Sequence, residues 1–331
     1  MNKITNIYDK KNNIDILIKW IENNLEHEFI GDLFEIVDII NGNDYDENVI
    51  WHYTKMNVLE KILQQNEVQI RFTNTNDSDD PLETRVYKPF LIKNKEKILN
   101  NLNNLVEFKL YESVKKDFME LIENKENTKK RITTCTFSMS RLKDSYAFWS
   151  KEYAGLDGIA IGFNKNVLKE IFSEGMIYDV FYIEPDKDIN LVDDAIIRMF
   201  SVLIMRFYNL YTKNPKYLDY ISSENFTILS HISDVLSGIV KHKSWKYERE
   251  TRIVLADRRI TKLTFHKEFV GGKKRFYYQN LDKSVISSVM LAPTCNEEQE
   301  KEVERYLKDN GYNIPVTRSR AFDLKYSDFK G

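Results

Sequence analysis

Two cysteines, Cys135 and Cys295, are all that the 331 residues contain. They are too few for a disulfide framework, and no CxxC or Cys/His spacing offers a structural zinc site. Net charge is equally scarce. The 49 basic and 51 acidic residues nearly cancel, so the global balance asks for no polyanionic partner, although it leaves room for a local basic patch. Long apolar runs are missing too: the longest, around Met199 to Tyr208, is broken by Arg206 and is far shorter than a membrane span. The N-terminal residues lack the apolar core of a signal peptide. A cytoplasmic protein without membrane association is expected from these absences. Internal repeats and low-complexity tracts are not visible, though Asn and Lys are plentiful.

What is present is enough to fold. An apolar content of 42% with 13% aromatics supports a packed core. Residues 1–48 carry apolar faces at helical spacing through Ile14, Leu17, Ile18 and Ile21, then Leu33, Phe34, Ile36, Val37 and Ile40, which predicts a helical N-terminal extension. The cluster Asn41-Gly42-Asn43-Asp44 breaks that pattern. Val49 to Tyr53 then reads as a strand, Thr54 as a cap for the helix carrying Val58, Leu59, Ile62 and Leu63, and Val68, Ile70 and Phe72 as an alternating strand. A polar loop follows, leading into two charged amphipathic helices between about 85 and 130.

Strand patterning returns from Ile132 to Met139 and from Gly158 to Phe163, with a helix predicted from Asp144 to Ala154 between them. Residues 190–242 have long helical periodicity. Strands near 250–256, 275–279 and 285–292, a helix from Glu297 to Asp309 and a strand from Ile314 to Thr317 complete the pattern. The fold class is therefore α+β with a central mixed or antiparallel sheet. Residues 49–331 are expected to form one domain, with helical insertions at about 85–130 and 190–242.

Four groups of residues carry chemistry. His52 at a strand end, beside Tyr53 and Thr54, can present an imidazole and a hydroxyl to a ribose or phosphate; the competing reading makes His52 a bonded core residue and Thr54 only a cap. Tyr146, Trp149 and Tyr153 fall on one stripe of the predicted helix and can wall a planar ring, with Phe137 and Ser138 facing the same space; the competing reading is a helix facing the core. Glu248, Glu250 and Arg252 share one face if the segment is extended, gathering two carboxylates and a guanidinium. Burial can separate the pKa values of such a pair into acid and base, whereas a solvated strand edge would make it an ordinary ion pair. Asp77, Asp79, Asp80 and Glu83 can bind magnesium or simply solvate a turn.

The strings Trp51-His52-Tyr53-Thr54, NDxxDPLE from Asn76, Cys135-Thr136-Phe137-Ser138, FWxxEYA from Phe148, GIAIGF from Gly158 and WKYExExR from Trp245 together resemble a widespread bacterial family known only as a domain of unknown function. The likeness runs from about Val49 onward. Where that family typically has a plain Asn-Asp-Pro followed by Glu, this chain has Asn76-Asp77-Ser78-Asp79-Asp80-Pro81.

The order of these motifs is also similar to that of ADP-ribosyltransferases, in which a strand-end His or Arg binds the NAD ribose, a middle strand and helix contact nicotinamide, and a late-strand glutamate completes the triad. The resemblance implies His52 in the first role, Phe137, Ser138 and Tyr153 or Trp149 in the second, and Glu250 in the third, with Glu248-x-Glu250 similar to the Glu-x-Glu motif of one branch. Tyr53, Thr54 and Arg252 would join in binding NAD, which is the substrate, and no metal is needed. The implied activity is that of an NAD-consuming ADP-ribosyltransferase or NAD glycohydrolase, a transferase acting as a bacterial toxin or antiviral effector. Its acceptor, protein or nucleic acid, and any regulatory protein partner are left open. Two other readings stand beside it: a non-catalytic nucleotide-binding or partner-interaction module, and a magnesium-dependent nuclease using Asp77, Asp79 and the glutamate pair.

Overall fold

Alternation of apolar and polar residues sets the sheet. In Val68–Asn74 the side chains of Val68, Ile70 and Phe72 are fully buried while Arg71 is exposed, as a half-covered strand requires. The computed structural model describes residues 48–75, 86–105, 108–123, 134–150, 153–172, 177–183, 197–198, 200–202, 204–205, 236–255, 266–270 and 274–321. Nearly all of the expected N-terminal extension, the acidic loop from Asp77 to Glu83 and most of the 190–242 insertion lie outside these residues.

The strands are β1 (Val49–Thr54), β2 (Val68–Asn74), β3 (Cys135–Ser140), β4 (Ile159–Asn164), β5 (Ile177–Asp179), β6 (Phe181–Ile183), β7 (Val240–His242), β8 (Glu250–Leu255), β9 (His266–Val270), β10 (Lys274–Leu281), β11 (Ile286–Leu291) and β12 (Val316–Arg318). Ten form one sheet in the order β12-β11-β4-β1-β3-β2-β10-β9, with β8 paired to β3 and β5 paired to β8. The β11–β12 pair is parallel and the others antiparallel, so the fold is α+β around a mixed sheet. Strands β6 and β7 form a separate parallel ladder.

The sheet forks at β3. One edge of this strand pairs along its whole length with β8, from Cys135 opposite Leu255 to Ser140 opposite Glu250. On the other edge, β1 takes only the end, Trp51 opposite Ser140, and β2 takes only the beginning, at Cys135 and Thr136. Between these two pairings the Ser138 carbonyl faces a gap, and the ring of His52 fills it with an Nδ1 hydrogen bond of 2.9 Å. A backbone acceptor in that position needs a partner once strands diverge, and here a side chain supplies it.

Helices cover the apolar face. The predicted helix after β1 is a 3-10 turn, Met56–Val58, followed by a short α1 (Leu59–Ile62). Thr54 remains in β1 opposite Ile159, and the residue preceding the turn is Lys55, so Thr54 is not the cap. Among the described residues of the next region, where two helices were expected, lie α2 (Tyr87–Lys93), α3 (Lys95–Leu105) and α4 (Phe108–Glu123), burying Phe90, Ile98, Leu102 and Phe118. Phe200 from the following helical segment packs against Phe90 and Phe181, at 5.6 and 5.9 Å between ring centroids. Helix α5 (Lys165–Ile171) starts at Asn164, whose side chain accepts from the amides of Asn166 and Val167. The last helix, α6 (Glu297–Asp309), opens with a capping box between Asn296 and Gln299. It sets Val303 and Leu307 into the core while Tyr306 donates to the Leu63 carbonyl at 2.7 Å. Among the described residues no helix is long and apolar enough to cross a membrane.

Candidate functional site

The carboxylate pair arises from a break in periodicity. Lys243–Glu248 is a 3-10 helix and not the start of a strand, and Arg249, with φ 40° and ψ 54°, turns the chain before β8 begins at Glu250. Sustained extension would have placed Glu248 and Glu250 on one face by alternation. The left-handed residue achieves the same meeting by another route, at a cost of roughly 1–3 kcal/mol for a side chain in that region. The turn is held by Arg141, whose amide donates to the Arg249 carbonyl at 3.1 Å, and by Ser140, whose hydroxyl donates to the Glu248 carbonyl at 2.7 Å.

Glu250 is saturated. Arg252 donates to it twice, Nε to Oε1 at 2.7 Å and Nη2 to Oε2 at 3.1 Å; Lys241 from β7 donates to Oε2 at 3.3 Å, and the Ser138 hydroxyl adds a fourth bond. A carboxylate has about four acceptor positions, so all are used. Burial acts to raise its pKa, but Arg252 and then Lys241 outweigh it and hold the group at about 2. Its backbone amide donates to the Tyr182 hydroxyl at 2.8 Å.

Glu248 is in the opposite state. Lys241 donates to Oε2 at 2.6 Å and the Tyr153 hydroxyl donates to Oε1, two bonds among the described residues against about four acceptor positions. Burial first, and the neighbouring Glu250 charge second, raise its pKa above the ordinary carboxylate range against the pull of Lys241 and Tyr153. Burial and the same carboxylate also push the Tyr153 phenol up, so it stays protonated and donates. For Lys241, burial acts downward, yet Glu250 and Glu248 hold the ammonium above its usual value. Two carboxylates and two cations therefore share one buried cluster, and the two acids are shifted in opposite directions.

His52 joins this cluster through Ser138, which gives its carbonyl to His52 and its hydroxyl to Glu250. Because a carbonyl only accepts, Nδ1 carries the proton and Nε2 the lone pair. Burial, reinforced by Arg71, lowers the His52 pKa despite the Ser138 bond, which favours the neutral ring. Phe137 packs on it with centroids 4.6 Å apart.

The structure thus brings His52, Phe137, Ser138, Tyr153, Glu248, Glu250 and Arg252 into one contact network. Tyr53 and Trp149 take other places. Tyr53 stacks on Phe148 at 4.5 Å and donates to the Leu142 carbonyl at 2.8 Å. The expected helix from Asp144 is only a 3-10 turn, Tyr146–Trp149, so no aromatic stripe forms: Tyr146 is 66% exposed and Trp149 is buried. Trp149 donates to Asp144 at 2.9 Å and lines a cavity of about 730 Å³ with Lys55, Asn57, Tyr146, Gly155 and Asp157. None of these lining residues belongs to the carboxylate cluster, and the Tyr53–Phe148 stack lies between Trp149 and Tyr153.

Lys241 and Tyr182 escape sequence reasoning because they enter from the three-residue strands β7 and β6. A lysine in the otherwise apolar Gly238-Ile239-Val240-Lys241 run was the available signal. A second buried network, Arg141 bidentate on Asp179 with Thr251 donating to Asp179 Oδ1 at 2.5 Å, braces the opposite face of β8. Gly238 lets the segment before β7 close on β8, since a Cβ there would lie 2.9 Å from Val254; its carbonyl accepts from Arg252 at 2.9 Å. Among the described residues no group of three or more His, Cys, Asp or Glu side chains is placed to hold a metal ion.

Residues 148–253, which include Tyr153, Lys241, Glu248, Glu250 and Arg252, match the family model described as protein of unknown function (DUF2971). No curated protein and no solved structure matches the chain.

Proposed function

We propose that the cluster around Glu248 is the active site of an NAD-consuming enzyme, an ADP-ribosyltransferase or NAD glycohydrolase. The observation that carries this reading is the pair of adjacent buried carboxylates whose pKa values are shifted in opposite directions, one holding four hydrogen bonds and the other two among the described residues. Environments that separate two acids in this way assign them different tasks. Glu250 is the fixed anion, charged at all physiological pH values. Glu248 is the carboxylate that exchanges a proton, and this assignment moves the reacting role from Glu250, where the family resemblance put it, to its neighbour.

In the reaction the bond between the nicotinamide nitrogen and the ribose anomeric carbon breaks, and nicotinamide leaves with the electron pair. The ribose becomes oxocarbenium-like, and Glu248 and Glu250 stabilise that positive charge. Water or an acceptor hydroxyl forms the new bond to the anomeric carbon and gives its proton to Glu248. His52, through the Nε2 lone pair, accepts from a ribose hydroxyl. Lys241 and Arg252 already occupy the positions beside the carboxylates where a divalent cation would sit, which disfavours the nuclease alternative.

The test is incubation of the purified protein with NAD, following nicotinamide by chromatography. Release independent of added magnesium is expected, with His52→Ala raising KM more than it lowers kcat. Binding of NAD without any release would transfer the protein to the non-catalytic nucleotide-binding reading, and turnover abolished by a chelator would transfer it to a metal mechanism.

A further inference from the structure

A buried carboxylate that takes up a proton in each turnover needs a path by which to lose it. Glu248 is buried, and among the described residues its side chain has two hydrogen-bond partners, Lys241 and Tyr153. Lys241 leads inward. It is itself buried, sits over the Trp245 ring at 4.8 Å, and has as its other partner Glu250, whose acceptor positions are filled. Tyr153 leads outward. Its hydroxyl lies 3.2 Å from that of Tyr247, a residue that is 46% exposed and whose ring leans on Trp245, with 6.1 Å between centroids. The single hydrogen of the Tyr153 hydroxyl is given to Glu248, so in the contact between the two phenols Tyr247 is the donor. From solvent inward, Tyr247, Tyr153 and Glu248 form one directed chain of hydrogen bonds.

We propose that Tyr153 and Tyr247 return the reaction proton from Glu248 to solvent, Tyr247 acting as a positioning residue at the outer end of the chain. This rests on the reading of Glu248 as the carboxylate that exchanges a proton. After the attacking hydroxyl has given its proton to Glu248, the new carboxyl O–H bond breaks as that hydrogen bonds to the Tyr153 oxygen. The Tyr153 hydrogen passes to the Tyr247 oxygen, and the Tyr247 hydrogen passes to water or a buffer base. Glu248 is left as the carboxylate, both phenols are again neutral, and the hydrogen bonds point inward as before. Burial first, and then its bond to Glu248, push the Tyr153 phenol up, so the transfers are concerted and no phenolate is released on the way. Hydroxyls in such a chain polarise one another, which ties the donor strength of Tyr153 to the presence of the Tyr247 oxygen. Phenylalanine at position 247 would keep the ring that leans on Trp245 and remove only that oxygen.

The experiment compares single-turnover and steady-state release of nicotinamide from NAD by the full chain and its Tyr247→Phe variant, above the Glu248 pKa. The first turnover should be as fast as in the wild type, because Glu248 starts ionised. Steady-state kcat should fall about tenfold, less than for loss of the acid–base group itself, with KM little changed. Added imidazole, a small base that can collect the proton, should restore kcat in the variant and leave the wild type as it was. Unchanged melting would exclude misfolding. An undiminished kcat, an equal loss in the first turnover, or no restoration by imidazole would each overturn the proposal. If the wild type releases no nicotinamide, the NAD reading fails and the chain is judged without substrate. Carbon-13 NMR of labelled glutamate side chains, with the Glu248 resonance identified by its loss in Glu248→Gln, then gives the titration midpoint of that carboxyl. Since the Tyr153 bond lowers the Glu248 pKa, Tyr153→Phe should move the midpoint up and Tyr247→Phe should move it less far in the same direction. A midpoint unmoved by Tyr247→Phe would overturn the chain on its own.

Discussion

The turn Lys243–Glu248 and the strand β8 are separated by a single residue, yet they are built on opposite terms. In β8 all six side chains are buried, and each polar one is matched: Glu250 with Arg252, Lys241 and Ser138, Thr251 with Asp179 and Arg141. In the turn only Glu248 is buried, Lys243 and Lys246 are exposed, and the exit residue Arg249, exposed as well, adopts a conformation that side chains disfavour. A buried ionic group is weak evidence of stability for its own sake, because desolvation consumes most of the attraction. The difference teaches that β8 holds a charged scaffold in place, and under the proposed function it is the turn that would present its carboxylate, Glu248, to the ligand.

Removing a member of the scaffold should be the most damaging change. Arg252→Ala leaves Glu250 buried without its main partner, and a loss of about 3–5 kcal/mol in chemical denaturation is expected. By comparison, Ile161→Val in β4, where Ile159 to Phe163 are apolar and buried, should cost only about 0.5–1.5 kcal/mol. Similar losses from the two would break the contrast.

The two carboxylates should also pull pH stability in opposite directions. Glu250 has a depressed folded pKa of about 2, so its contribution is present above the unfolded carboxylate value and is lost as pH falls toward 2. Glu248 has a raised folded pKa, so its contribution is full below the unfolded value and is lost as pH rises through the folded one. Denaturation midpoints measured across pH should therefore lose the acid limb in Glu250→Gln and the limb above the unfolded carboxylate value in Glu248→Gln.

A smaller effect should separate substitutions at Arg249. Glycine suits the left-handed backbone and alanine does not, so Arg249→Ala should be less stable than Arg249→Gly by about 1 kcal/mol; the reverse order would deny the strain. Least of all, Arg318→Ala should cost under about 1 kcal/mol, since its 2.5 Å pair with Glu300 is solvent-accessible. Thermal melts would register both.

Sequence patterning located the elements whose periodicity faces a single core. β2 alternates cleanly, and α6 spans Glu297 to Asp309 as its capping residues and apolar spacing require. β5, β6 and β7, at three residues each, are too short to show a period, so Asp179, Tyr182 and Lys241 had no visible place. The aromatic stripe failed because Tyr146–Trp149 stops after four residues, sending Trp149 to the cavity and Tyr153 to Glu248. For the glutamate pair, alternation gave the correct meeting for the wrong reason: no pattern of residue types announces a positive φ at an arginine.

The division of labour between the two glutamates is tested most directly by single-turnover release of nicotinamide from NAD by Glu248→Gln. Loss of a positioned acid–base group should slow release by about 10²–10⁴-fold, while the amide, close in shape and free of the charge that burial disfavours, leaves the melting transition at or above that of the wild type. Wild-type release by this variant would contradict the account, and it would do so whether or not Glu250→Gln proved inactive.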